Sequence, residues 1–492
     1  MWLTQLLERN RQCWPDRTAL IDERRRVTWS QFHDRTRELA RGLAELGIGR
    51  GDRVAVLSKD RIEVLETYFA LARLGALFVP LNHSLAVPEV AGIVERVGAV
   101  AVLGESELLD RHPELPASVR IRVALDKPAF DALGTLAAER ELPEVADADP
   151  IAVLHTSATT GQAKGVTVDS ASFRAIALGW LVMARPTDGI VMVNCCPLYH
   201  GSMVVSLTYL AAGATIVLMP GFTPQRALAA VEEHRATHMW LVPQMLRFML
   251  QAKGSAHADL SSLREVLYGA APMPLDVYAD AVERLGCGFR QVYGMTEVGG
   301  PFVTLGPDEH PAPGDVTARI PCGRVVPGMS ARAVDGAGLE LPRGEIGEIV
   351  VRGPGVMQGY WNDPEATREI VLDGWIRTGD LGFVDEAGRI HLVDRTKDVI
   401  IRAGQNVYPS EIERALMTHP AVRDAAVVGM PDEDYGEVPL AYVVAEPGTR
   451  PAELLAHVGE LLAPYKRPRR VEFIEQVPRN PAGKIVKKLL RA

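Results

Sequence analysis

From Gly189 to Gln225 the chain carries no Asp, Glu, Lys or Arg. A charge-free run of that length either crosses a bilayer or lies deep in a folded core. Asn194, Pro197, His200, Gly201, Gly213 and Pro220 punctuate it, which favours a buried strand, a polar loop, a helix and a second buried strand at Thr215–Met219. No membrane span is expected. The preceding sequence alternates in the same way. Ser30 is expected to cap a helix with Phe32, Leu39, Leu43 and Leu46 on one face and Gly47 as its stop. A short apolar strand (Val54–Leu57), a helix (Ile62–Leu74) and another strand (Ala76–Pro80) follow, and the rhythm returns around Ile190–Val193, Ala227–His234, Met239–Val242 and Leu275–Leu285. Such alternation implies an α/β fold of parallel sheets covered by helices.

Beyond Pro301 the texture changes. Gly and Pro become frequent, and short alternating runs (Ile346–Val351, Gly388–Val393) point to a β-barrel-like subdomain over about 301–394. A boundary is expected near Asp394–Lys397, separating a large N-terminal domain (1–394) from a small α+β C-terminal domain (398–492). In the latter, helices are expected at Ser410–Met417 and Pro451–Leu462 and strands at Ala425–Val428 and Ala441–Ala445. The total of 492 residues suits about three folding units. A net charge of −9 argues against general nucleic-acid binding, which needs a basic face. Cys13, Cys195, Cys196, Cys287 and Cys322 lack zinc-ligand spacing and are too scattered for a disulfide scaffold, so reduced thiols in a cytoplasmic chain are expected. Glu8, Arg9 and Arg11 interrupt the N-terminus before any signal-peptide-like apolar run.

Four segments carry the chemistry. The first, Leu154–Gly165, follows an apolar run and gathers Thr156, Ser157, Thr159 and Thr160 with Gly161, Lys164 and Gly165. Such hydroxyls, backbone N–H groups and one lysine can wrap phosphate oxygens, although the Walker spacing is absent. The second, Gln291-Val292-Tyr293-Gly294-Met295-Thr296-Glu297, offers an aromatic face, a tight glycine and a hydroxyl beside a carboxylate, which suit a purine, a phosphate and Mg2+. In the third, Asp380 can accept from ribose hydroxyls and is followed downstream by Arg395 and Lys397. The fourth, Pro478–Ile485, presents Lys484 on a Pro/Gly turn. Each is weak alone; the four in this order and at these separations are not.

Together they make the chain resemble the adenylate-forming superfamily of acyl-CoA synthetases, peptide-synthetase adenylation domains and firefly luciferase, from about Ala19 to the C-terminus. The resemblance implies that Thr156, Ser157, Ala158, Thr159, Thr160, Gly161 and Lys164 hold the β- and γ-phosphates of ATP. It further implies that Gly269, Ala270, Ala271 and Pro272 pack along adenine, that Tyr293, Gly294, Met295 and Thr296 complete the nucleotide site with Tyr293 on adenine, and that Glu297 holds Mg2+. Asp380 and Arg395 match the ribose pair. Residues 395–397 match the hinge, centred on Lys397, about which a mobile C-terminal domain swings. Lys484 matches the lysine that meets the reacting carboxylate and α-phosphate, and His200, in Pro197-Leu198-Tyr199-His200, the histidine beside the acyl group. Thr296, Lys397, His200 and Lys484 are thus the expected catalytic set. Ala403 and Gly404 match the loop lining the coenzyme A channel. Ala158 stands where the pattern has glycine; were φ positive there, strain of roughly 1–2 kcal/mol would follow. Ala163 replaces a usual proline, and Asp169-Ser170 a usual Thr-His pair.

The resemblance implies an ATP-dependent acid–thiol ligase that forms an acyl-adenylate and then an acyl-CoA. No acid follows His200 to pair with an amino-acid ammonium, and Gln291-Val292 replaces the arginine of malonate-using relatives. Beside His200, the expected acyl wall (Ser202, Met203, Gly269, Ala270, Val292, Gly300) is small and apolar, suiting an aryl or medium-chain acid. The alternatives are delivery of the adenylate to a carrier protein or another nucleophile, nitrite activation of the diazotase kind included, and a non-catalytic acyl-AMP binder. A monomer or homodimer is expected.

Overall fold

A computed structural model describes residues 1–134, 141–156, 163–199, 201–255, 257–315, 319–479 and 485–491. The described chain forms two compact units. The first runs to Ser330 and includes Arg352–Ile376; the second holds Ala331–Val351 and the chain from Arg377 onward. Among the described residues no helix is long and apolar enough to cross a membrane.

The first unit contains two large, mainly parallel sheets. The nine-stranded sheet has its parallel centre in Thr215–Leu218, Val191–Asn194, His238–Leu241, Glu265–Gly269 and Gly288–Met295, with antiparallel strands toward both edges. The charge-free run therefore folds as strand, loop, helix (Ser202–Ala211) and strand, as its punctuation requires. Helices Pro224–His234, Pro243–Gln251 and Leu275–Leu285 cover one face through Leu228, Leu246 and Val277. The Ser202–Ala211 helix covers the other, with the Tyr209 ring 5.5 Å from that of His238.

The seven-stranded sheet centres on the parallel strands Arg53–Leu57, Leu77–Leu81 and Ala101–Gly104. Its other end is an antiparallel hairpin, Pro150–His155 with Gly165–Asp169, against whose second strand Gly359–Tyr360 adds. The Trp29–Glu45 helix is capped two residues before the expected cap: Thr28 accepts from the Gln31 backbone N–H, and the Gln31 side chain accepts from the Thr28 backbone N–H. That reciprocal pair outcompetes Ser30. Gly47 follows the helix at φ +89°, a left-handed stop.

The second unit holds a curled antiparallel sheet and a small α+β portion. In the curled sheet the long strand Trp375–Val384 pairs with Gly347–Arg352 and Ile390–Arg395. The α+β portion has strands Val422–Asp432 and Gly436–Ala445, joined by Arg470–Phe473, packed on helices Pro409–Met417 and Pro451–Leu461 through Ile412, Val427, Val443 and Leu454. All five cysteines are free; burial pushes the Cys195 thiol up to about 12.

Candidate active site

The phosphate-type segment is the connection of the Pro150–His155/Gly165–Asp169 hairpin. Its ends are tied where Thr156 N donates to Lys164 O (3.1 Å) and Lys164 N to Thr156 Oγ1 (3.3 Å). Ser157, Ala158, Thr159, Thr160 and Gly161 lie outside the described residues. Asp169, in place of the usual threonine, caps the following helix by accepting from Ser172 N (2.7 Å), and its other oxygen accepts from Gln358 Nε2 (2.7 Å). His155 is desolvated, which pushes its pKa down to about 4 and keeps the ring neutral, in keeping with a packing role.

Tyr360 unites the first two motifs, although sequence reasoning passed it over. Pairing with Gly165–Asp169 places Tyr360 opposite Val166, and Trp361 N donates to Gly165 O (2.7 Å). Its phenol donates to Glu297 Oε1 (2.8 Å), and Lys164 Nζ lies 4.9 Å from its ring centroid. Burial, then the Glu297 charge, push that phenol well above its ordinary pKa, so it remains a donor. A carboxylate and an ammonium thus flank one ring beside the hairpin connection.

Glu297 sits in a short turn, Thr296–Val298, after the Gly288–Met295 strand, and its carbonyl accepts from Met357 N (2.9 Å). Gly294 allows this strand to turn back on itself: a Cβ there would lie 2.3 Å from Gly300 O. The Tyr293 ring lies 5.2 Å from Phe302. Mg2+ prefers one or two carboxylates, with water and phosphate completing its shell. Glu297 fits that pattern, and the described residues hold no cluster of three or more ligand side chains.

At the neighbouring strand end, Ala270 adopts φ +65°, a left-handed conformation that costs a non-glycine residue about 1–3 kcal/mol. This strained turn opens Ala270-Ala271-Pro272. Gly269 leaves room for Val292, whose Cγ2 would lie 2.7 Å from a Cβ there, and for Trp240, whose Cη2 would lie 3.2 Å away. Ser202 Oγ donates to the carbonyls of Cys196 and Pro197, and Val204 fills the space beside Gly300. Ser202, Met203, Gly269, Val292 and Gly300 are all buried. His200 lies outside the described residues, but the loop before it is held by a buried carboxylate also missed in the sequence. Asp60 Oδ1 accepts from Leu198 N (2.9 Å), and burial raises Asp60 to about 8.

In the second unit, Asp380 and Arg395 face each other across paired strands, with Nε 3.0 Å from Oδ1. Lys397 follows in a short turn, where desolvation and then the Arg395 guanidinium lower its pKa. Ala403 and Gly404 form the turn between Ile400–Arg402 and Gln405–Val407, with Ala403 at φ +48°. Arg402 donates to Tyr465 O (2.8 Å) and stacks on Tyr435, and Lys466 pairs with Glu411 (2.8 Å). Lys484 lies outside the described residues.

Residues 7–361 match the model of the AMP-binding enzyme family, and residues 411–484 that of the AMP-binding enzyme C-terminal domain. The chain belongs to the AMP-binding enzyme family. This AMP-binding enzyme is 38% identical over 477 residues to feruloyl-CoA synthase of an Amycolatopsis species, covering 96% of this chain and 95% of the relative. It is 36% identical over 501 residues to the fatty acid–[acyl-carrier-protein] ligase ScoC of Streptomyces coeruleorubidus, covering 99% and 96%. Its fold matches that of ATP-bound MatB from Rhodopseudomonas palustris with a TM-score of 0.90 at 30% identity, over 99% of this chain and 98% of the other. The AMP-binding enzyme is accordingly an AMP-forming, acid-activating ligase that uses ATP and a small-molecule acid.

Proposed function

We propose that the chain is an acid–thiol ligase that activates an aryl or medium-chain carboxylic acid and passes it to coenzyme A. The observation that carries this reading is the Glu297–Tyr360–Lys164 arrangement beside the hairpin connection. In the first half-reaction a carboxylate oxygen attacks the α-phosphorus, a C–O–P linkage forms and pyrophosphate leaves. Two anions must meet, so cationic groups are needed where charge accumulates. Lys164, with the hydroxyls of 156–160, restrains the departing pyrophosphate. Lys484 neutralises the carboxylate and α-phosphate, Glu297 holds Mg2+, which when bound supplies Lewis-acid charge, and Asp380 accepts from the ribose. His200 borders the acyl group. In the second half-reaction the thiolate sulfur attacks the carbonyl carbon and AMP leaves with the bonding electrons. Ala403 and Gly404 line the thiol's path, and Lys397 serves as the hinge.

The similarity to ScoC, which covers 99% of the chain, supports a second acceptor, the thiol of a carrier protein. An acid panel read by pyrophosphate release, with free CoA, holo-carrier protein or neither, decides between them. The proposal expects thioester with CoA from at least one aromatic or C4–C12 acid. Thioester formed only on the carrier protein overturns the choice of acceptor, and silence across the panel overturns the acid class.

A further inference from the structure

The Ser202–Ala211 helix and the sheet face beneath it hold three buried polar groups that the described protein leaves unanswered. Asn194, fully buried at its strand end, uses Oδ1 to accept from Cys196 N (3.3 Å), but its Nδ2 meets no partner among the described residues. Trp240 stands beside it in register on the adjacent strand, 5% exposed, with Nε1 equally unpartnered. Ser206, fully buried, leaves its Oγ unpartnered too.

The helix brings the third group to the other two. Ser202, Ser206 and Tyr209 share one helical face by their spacing. Ser202 reaches the carbonyl of Cys196, two residues beyond Asn194, and Tyr209 packs on His238, two residues before Trp240. Ser206 therefore lies over the level of Asn194 and Trp240. The Trp240 ring extends to Gly269 and so to Val292, two of the residues expected to wall the acyl group.

On the strands of this sheet, among the described residues, such unpartnered atoms are those of Asn194 and Trp240; above them Trp180 Nε1, its ring 5.5 Å from Tyr209, is unpartnered as well. On the opposite face of the same strands Val193, Met239, Leu241 and Val266 form an apolar core. Tyr268, also on that face, is satisfied by Gln291 (3.1 Å) and His310 (2.9 Å). Lower on the helix-covered face, His238 is met by Thr237 (2.9 Å). A buried donor without an acceptor is costly, and native folds keep such groups where a ligand or ordered water answers them.

We infer that the activated acid carries an oxygen remote from its carboxylate, as a hydroxyl, ether or carbonyl, which accepts from Trp240 Nε1 and Asn194 Nδ2 beneath the helix. The inference rests on the acid-activating reading and narrows its substrate class to oxygenated acids. Ser206 Oγ accepts when that oxygen bears a proton. Sites built to hydrogen-bond a substrate group discriminate strongly against analogues lacking it, because their own polar atoms are then left unpaired.

Matched acid pairs test this: 4-hydroxycinnamate against cinnamate, 4-methoxybenzoate against benzoate, and 7-oxooctanoate against octanoate, each scored as kcat/KM for pyrophosphate release. The oxygenated member of at least one pair is expected to be preferred by about tenfold or more. Trp240→Phe should collapse that ratio whatever it does to absolute rates, and Ser206→Ala, which removes only an oxygen, should lower it for the hydroxylated pair. Release that favours the plain acid in every pair, or a preference unchanged in both variants, overturns the inference alone. No release from any acid overturns the proposed acid class as well.

Discussion

Tyr360 meets groups of opposite charge on its hydroxyl and its face, and this sets what its loss does. The phenol orients Glu297 at 2.8 Å while the Lys164 ammonium rests over the ring. A hydrogen bond to a charged group contributes about 1.5–3 kcal/mol. Tyr360→Phe keeps the ring for Lys164 and removes the orienting donor from Glu297. Initial rates titrated in ATP at fixed Mg2+ should show kcat/KM for ATP down by about tenfold or more, a fall matching that bond. An unchanged ATP dependence would show that Tyr360 is only a packing residue. Nothing in the sequence around Gly359-Tyr360 marks it as functional, since its role comes from pairing with a strand far upstream, opposite Val166.

Asp60 was equally hidden, because burial and its bond to Leu198 N, not a motif, give it significance. Its native pKa of about 8 lies above the ordinary carboxylate value. Below about pH 4 both native and unfolded forms are protonated, and the contribution to stability is fully present. Between about 4 and 8 the unfolded form ionises first, so this contribution is lost at up to about 1.4 kcal/mol per pH unit. Urea unfolding at pH 5, 7 and 9 should show the wild type losing stability relative to Asp60→Asn up to pH 8 and no further above it. A constant difference across the series would assign Asp60 an ordinary pKa.

At the scale of elements, periodicity located helices well: Ile62–Leu74 and Leu275–Leu285 have the expected bounds. Strand bounds were less exact: Thr215–Met219 ends one residue earlier, at Leu218, and Ala76–Pro80 is shifted to Leu77–Leu81. Ala425–Val428 extends to Val422–Asp432, because pairing with Gly436–Ala445 carries polar residues and a proline that an apolar run excludes. The Gly288–Met295 strand shows the same limit within the site. The motif shows that its glycine is tight but not against what: the nearest obstacle is the protein's own backbone at Gly300. Gly294→Ala puts a methyl against that carbonyl, and overpacking of this kind costs about 1–3 kcal/mol. The variant should lower the urea midpoint by a matching amount and reduce pyrophosphate release, since Glu297 lies three residues on. Full stability with full activity would show that the two strands separate freely there.

At the scale of the whole chain, the α/β architecture was legible because helices and buried strands leave periodic apolar signals, and the family motifs lie at strand ends. The ties between layers were not, since they join residues with no common pattern. Glu63, fully buried in the Ile62–Leu74 helix, pairs with Arg61 (2.7 Å) and with Arg24 (3.1 Å) from the turn between the last two strands, Thr18–Ile21 and Arg26–Thr28, at one end of the nine-stranded sheet. Glu66, one turn on, meets Arg25 from the same turn (2.9 Å). The helix is in contact with the Leu77–Leu81 strand of the seven-stranded sheet, so these pairs link the first unit's two sheets. Removing one partner of a buried pair leaves uncompensated charge and costs about 3–5 kcal/mol. Glu63→Ala takes from Arg61 its 2.7 Å partner, leaving it only Glu105 at 4.0 Å, and should lose about 3 kcal/mol in urea denaturation. Replacing Arg24, which is half exposed, should cost far less, because solvent already screens it. Equal losses in the two variants would mean that the network holds by packing rather than by charge.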